Sequence, residues 1–272
     1  MKKISKHRLI LKKRINQSSE LKEISRMNNE TLQNVLKAFH SVKKNIFQKE
    51  DLEAFSNCEN YRNQLLSDNK VITYEVFSSD HAAKVKDICK IAASKQKWCH
   101  FLYQLVKQTD SPSVLEIGTN LGISGSYILE AMKGKKGKFI TMEGLPQLCE
   151  ISSKQFLKIA HESTFEVVQG LYDDTFPKVI AKDLSYNLSF IDGNHKKGPT
   201  LEYFNTLKSN IGKTAIFVFD DIYWSDGMKE AWEIIKKDPE VNFSIDLYEQ
   251  GIVIIDKDES IHNKHFNLHL SY

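Results

Sequence analysis

Five short apolar runs, each closing on a glycine or an acidic residue, recur through the second half of the chain: SVLEIG from Ser113, KFITMEG from Lys138, FEVVQG from Phe165, NLSFIDG from Asn187 and TAIFVFDD from Thr214. Each begins more than 20 residues after the one before, with an amphipathic stretch between. Strands covered on both faces read as continuous apolar runs, and a crossover between parallel strands needs a dozen or more residues. The spacing therefore predicts βα units and a parallel sheet. FSIDLYEQGIVIID breaks this rule, because its two strand-like runs are joined only by Glu249, Gln250 and Gly251. So short a join permits a hairpin and excludes a helical crossover. The expected architecture is α/β, a parallel sheet finished by one antiparallel strand. HFNLHLSY, alternating Phe266, Leu268 and Leu270, is suited to a further edge strand.

Upstream the texture differs. From Leu21 to about Val106 apolar residues recur at helical spacing, as in Leu32, Val35, Leu36, Phe39, Val42 and Ile46, with Asn29 placed to cap them. NKVITYEVFSSD interrupts this pattern with β-branched and aromatic residues. The change at TDSPS divides a helical region, residues 1–110, from an α/β region, residues 111–272; the first is expected to cap a binding site, to form an oligomer contact such as that of a homodimer, or both. The net charge is +3, of which the first fourteen residues carry +7 through Lys2, Lys3, Lys6, Arg8, Lys12, Lys13 and Arg14, leaving the rest at −4. A solvated, frayed basic end is the expectation there, without a nucleic-acid or membrane partner. No apolar run reaches the length of a membrane span, and the four cysteines form no CxxC pair. The chain reads as cytoplasmic, its thiols reduced.

In open parallel sheets ligands bind beyond the carboxyl ends of the strands. Here those ends carry Glu116-Ile-Gly118-Thr-Asn120-Leu-Gly122, then Glu143, Gly170, Asp192, and the pair Asp220-Asp221. Glycines let the backbone turn sharply, and a carboxylate on the next strand can accept from both hydroxyls of a ribose. Dinucleotides and S-adenosylmethionine both fit that description. The dinucleotide loop needs glycine where this chain has Asn120 and Ile123. A nucleoside that carries a sulfonium and an ammonium, and no phosphate, suits the acidic ends better.

In this order and spacing, LEIGTNLGIS, FIDGNH and FDDIYWSDGMKEAW resemble the class I S-adenosylmethionine-dependent methyltransferases over roughly Pro112 to Asp256. Within that superfamily they resemble small-molecule O-methyltransferases of the catechol type and the bacterial macrocin, or sugar, type. The resemblance implies a Rossmann-like, mostly parallel seven-stranded sheet with an antiparallel last strand. It implies cofactor contacts from Glu116, Gly118, Asn120, Gly122, Glu143, Gly170 and Asp192, and Mg²⁺ held by Asp192, Asp220 and Asp221. His195 takes the position of the catalytic base, and the partner is a small-molecule acceptor. Two departures are visible: Asp-Asp in place of the catechol-type Asp-Asn, and Gly170-Leu171 where many relatives have Gly-Asp. Other readings of the same residues are a nicotinamide-dependent oxidoreductase, or a non-catalytic nucleoside-binding protein. Asp220-Asp221 also suits the N-cap of the helix at GMKEAW.

Overall fold

A computed structural model describes residues 2–271. In chain order the helices are α1 (Lys2–Ile24), α2 (Glu30–Lys44), α3 (Lys49–Ser67), α4 (Val85–Ala92), α5 (Gln96–Lys107), α6 (Ile123–Met132), α7 (Pro146–Ile159), α8 (Tyr172–Ile180), α9 (Lys197–Ser209) and α10 (Asp226–Lys236). The strands are β1 (Val71–Thr73), β2 (Ala82–Lys84), β3 (Ser113–Ile117), β4 (Lys138–Glu143), β5 (Phe165–Gln169), β6 (Leu188–Ile191), β7 (Thr214–Asp220), β8 (Phe243–Asp246), β9 (Gln250–Asp256) and β10 (Lys264–Asn267). The fold is mixed α/β, with a mostly parallel sheet of eight strands and a small antiparallel pair, β1 with β2. Two compact units share the chain: residues 45–184, and residues up to 44 together with 185 onward.

In the unit of residues 45–184, β3, β4 and β5 pair in parallel, setting Glu116 opposite Thr141 and Glu143 opposite Gln169. Val114, Leu115 and Ile117 are wholly buried, as continuous apolar strands require. α6 is buried at every position from Ile123 to Met132. A helix enclosed on all sides must satisfy its polar groups internally, and Tyr127 does so by donating to Glu59 at 2.7 Å, which also takes Arg62 Nε at 3.0 Å.

In the other unit the strand order is β10-β8-β9-β7-β6. β9 is antiparallel to both of its neighbours, pairing Gln250 with Asp220 and Ile254 with Phe243. The hairpin join lies at residues 247–249, earlier than its turn-forming residues suggested, because Gln250 and Gly251 already pair with Asp220 and Phe219. The sheet exceeds the expected seven strands because β10 pairs in parallel with β8, burying Phe266 completely.

Asn29 caps α2, its side-chain oxygen accepting the Leu32 amide at 2.9 Å. Leu32, Val35, Leu36, Phe39 and Val42 form the buried stripe of α2, but Ile46 falls beyond its end and is 64% exposed. The basic N-terminal run is not frayed. It forms α1, where Lys13 is 3% exposed and ion-pairs with Asp246 at 2.8 Å. A charge removed from water needs such a partner. The side chains of Lys2 and Lys3 lie outside the described residues. All four cysteines are free and buried, and among the described residues no helix is long and apolar enough to cross a membrane.

Candidate functional site

The glycine loop between β3 and α6 belongs to the unit of residues 45–184. Gly118, Asn120 and Gly122 all have positive φ, at 112°, 48° and 75°. Gly122 begins α6, and a Cβ there would stand 2.7 Å from Ser152 Cβ and 3.0 Å from the Phe156 ring, so both conformation and space require glycine. Every amide of the loop is already used. Gly118 N and Thr119 N donate to Met142 O at 3.2 and 3.0 Å, and Gly122 N to Thr119 O at 2.8 Å. Asn120 N donates to Glu143 Oε2 at 2.9 Å, and Leu121 N to Asn120 Oδ1 at 2.7 Å. Residues 118–122 therefore keep no amide for a phosphate, and no side chain caps the first turn of α6 beyond them.

The two glutamates differ in kind. Glu116 is 0% exposed; Ser124 donates to Oε1 at 2.5 Å and Thr141 to Oε2 at 2.6 Å. Burial pushes its pKa up to about 7, against the pull of the two hydroxyls, with Glu143 adding to the rise. Glu116 therefore braces the loop from within the core and presents no surface of its own. Glu143 closes β4 with its carboxylate at the loop, accepting Asn120 N and Leu145 N, each at 2.9 Å. Burial raises its pKa and these backbone donors oppose the rise. A carboxylate has about four acceptor sites, so room for a hydroxyl donor remains. Gly170 follows β5 at φ 140°, its amide donating to Glu143 O at 2.9 Å.

Residues that the sequence pattern did not single out complete this half. Tyr61 of α3 donates to Leu121 O at 2.6 Å, clamping the loop from above. Phe77 rests on Gly144, where a Cβ would stand 2.8 Å from its Cζ. Thr73 N donates to Gln147 Oε1 at 2.9 Å, and Tyr74 lies near enough to Glu143 for that charge, after burial, to raise its phenol pKa. An aromatic pair within an otherwise helical stretch was the only available signal for this wall.

The other unit carries the acidic strand ends. Asp192 follows β6, and Asp220 and Asp221 stand at the end of β7. Asn194, His195 and Asp221 have φ of 65°, 26° and 53°, a run of strained backbone that persists only where the surroundings over-determine it. Burial first, then Asp221, pushes the Asp220 pKa up to about 7, opposed by hydrogen bonds from Gln250 and Asp192. Gln250 Nε2 donates to Asp220 Oδ1 at 2.9 Å, while Gln250 Oε1 is buried without a partner. His195 Nε2 lies 3.6 Å from Asp192 Oδ1, and burial lowers its pKa against the pull of Asp221. The capping role fails for Asp220-Asp221: the N-cap of α10 is Ser225, whose hydroxyl accepts Met228 N at 3.1 Å.

A preassembled three-carboxylate metal centre is not what the structure holds. Among the described residues no three His, Cys, Asp or Glu side chains are grouped to hold a metal ion. The chemistry of the donors nevertheless fits a hard cation: carboxylate oxygens in mutual contact, one of them driven toward its neutral form by burial and then by its neighbour, beside an orphaned amide oxygen.

Residues 115–222 match the family model described as a methyltransferase domain. A curated relative from Mycobacterium sp. (strain JLS), named "Putative O-methyltransferase", is 28% identical over 96 residues, which is 35% of this chain and 42% of the relative. The match thus spans about two fifths of that relative's length. An O-methyltransferase from Bacillus cereus, solved in complex with S-adenosylhomocysteine, is 20% identical and aligns over 61% of this chain and 84% of its own, with a TM-score of 0.52. An S-adenosylhomocysteine-bound methyltransferase from Podospora anserina is 16% identical over 85% of this chain and 97% of its own, with a TM-score of 0.57. Residues 115–222 thus match a methyltransferase-domain model, and the chain shares the Rossmann-like α/β fold of these solved methyltransferases.

Proposed function

We propose that this chain transfers a methyl group from S-adenosylmethionine to a hydroxyl of a small molecule, with Mg²⁺ held by Asp192, Asp220 and Asp221. The observation that carries the cofactor is the saturated glycine loop with Glu143 at its mouth. A dinucleotide would find no free amide in residues 118–122 and no glycine at the fingerprint positions of Asn120 and Ile123, whereas a cationic nucleoside finds a carboxylate for its ribose hydroxyls. Glu116, sealed behind the loop, holds Ser124 and Thr141 in place and with them the start of α6.

The acceptor oxygen attacks the methyl carbon in line with the sulfonium. The carbon–sulfur bond breaks, its electron pair returns to sulfur, and neutral S-adenosylhomocysteine leaves. The acceptor's proton passes to His195. Burial lowers the pKa of this imidazole, so it is neutral and able to accept at pH 7. A bound Mg²⁺ would offset the repulsion among the three aspartates and acidify the acceptor hydroxyl. Gln250 orients Asp220 through its amide. Most of the rate enhancement comes from holding the two reactants aligned.

The test is a calorimetric titration with S-adenosylhomocysteine, with Mg²⁺ and again in excess chelator, followed by turnover on phenolic and sugar hydroxyls. Micromolar binding supports the cofactor; its absence in both conditions refutes it. If neither chelator nor Asp221→Ala alters turnover, the metal part of the proposal is wrong.

A further inference from the structure

Lys13 of α1 uses all three of its ammonium protons inside the protein. It meets Asp246 Oδ1 at 2.8 Å, the Asp246 carbonyl oxygen at 3.0 Å and Asn267 Oδ1 at 2.8 Å. Both charged side chains are 4% exposed. Asp246, which ends β8, then gathers three other segments. Its Oδ2 accepts from the Tyr223 hydroxyl at 2.7 Å and from Trp232 Nε1 of α10 at 3.3 Å, and its Oδ1 accepts from Tyr248 N at 2.8 Å. Tyr223 stacks on Tyr248 with ring centroids 4.9 Å apart and planes 7° from parallel, and Lys6 of α1 lies 5.1 Å from the Tyr248 ring centroid.

Tyr223 stands two residues beyond Asp221. The turn between them closes through Trp224 N donating to Asp221 O at 2.8 Å, on backbone strained at Asp221, and it leaves the Trp224 side chain 72% exposed. A buried ion pair adds little net stability over an apolar pair of similar volume, so stability alone is a weak reason for this one. What it supplies is direction: a carboxylate locked on one side can aim a phenol on the other.

We infer that α1 is a working part of the methyl-acceptor side of the enzyme: through Asp246, Lys13 is a positioning residue that holds Tyr223 and the strained Asp221–Ser225 turn in place. The name of the site rests on the methyltransferase reading; the coupling does not.

Hydrogen exchange read by mass spectrometry on the full chain tests it, comparing wild type with Lys13→Met and Tyr223→Phe. Residues 221–226 should exchange roughly tenfold faster in both variants, while residues 117–123 keep their protection and S-adenosylhomocysteine binds within about twofold of wild type. Tyr223→Phe removes the phenol's hydrogen bond to Asp246 and leaves the ion pair intact, so it marks the change expected when only the link between Asp246 and the turn is lost. Unchanged protection at 221–226 in either variant, or equal acceleration at 117–123 in both, overturns the inference. Should Lys13→Met fail to fold, Lys13→Met/Asp246→Asn removes both charges together and is read in the same way. A wild type that binds no S-adenosylhomocysteine sinks the methyltransferase reading and leaves the exchange result to decide the coupling.

Discussion

Replacing Glu116 by Gln should stabilise the protein at alkaline pH. The carboxyl is 0% exposed, and burial outweighs the Ser124 and Thr141 hydrogen bonds to bring its pKa to about 7 from the ordinary 4.5 of a glutamate. In the unfolded chain the proton leaves near the lower figure; in the folded chain it stays until the higher. Between those pH values the folded state binds more protons, so stability falls as pH rises through the window and levels off above it. At 1.36 kcal/mol per pH unit of displacement, full ionisation costs the native state about 3 kcal/mol. Gln keeps the shape: its amide can donate to Thr141 Oγ1, whose own proton then turns to Thr119 Oγ1, 2.6 Å away. The wild type should therefore lose about 3 kcal/mol more than Glu116→Gln between pH 5 and 8, and melt roughly 6 to 10 °C lower at pH 8. Other titrating groups, Asp220 among them, are common to both proteins and cancel in the difference. Calorimetric melts of both proteins at pH 5, 6, 7 and 8 make the comparison, and parallel curves would refute the reasoning.

Glu143→Gln places an amide N–H₂ near the Asn120 and Leu145 amides and weakens the acceptor we propose for the ribose; calorimetry should show S-adenosylhomocysteine binding weakened at least about tenfold. Gly122→Ala forces an L side chain into φ 75° against Ser152 and Phe156, and thermal melts should record a loss of about 2 kcal/mol or more. Gly144→Ala pushes the Phe77 ring aside, which should weaken cofactor binding in a titration while the melting temperature moves little. Asp221→Asn tolerates the left-handed backbone and removes the like charge beside Asp220, so carboxyl resonances followed by NMR should show the Asp220 pKa falling from about 7.

What the chain made legible were features with a period. Five apolar runs more than 20 residues apart became β3 to β7, and the short join before GIVIID became the hairpin of β8 and β9. The stripe from Leu32 to Val42 became the inner face of α2. Long-range partners left no such mark. Nothing beside Lys13 in sequence announces Asp246, which is 233 residues away, so a run of bases looked like solvated tail. Nor did the glycine spacing reveal that Glu116 would be walled in by Ser124 and Thr141: a carboxylate at a strand end reads as a ligand contact until its surroundings are seen. Tyr61 and Phe77 were illegible for the same reason, since each reaches the loop region from a separate segment.

The anchoring of α1 has a consequence for how the chain matures. α1 leaves the ribosome well ahead of its partners Asp246 and Asn267, which are made more than 200 residues later. Closing a loop of that size is slow, and the helix has no buried ion pair to join until β8 and β10 exist. Residues 45–184 form a contiguous unit that can condense during synthesis, whereas the unit containing α1 is assembled from both ends of the chain. For most of translation α1 has α2 beside it but lacks the partners of Lys13, and a stall anywhere before β8 would release a product whose middle can fold while that buried lysine stays without its carboxylate.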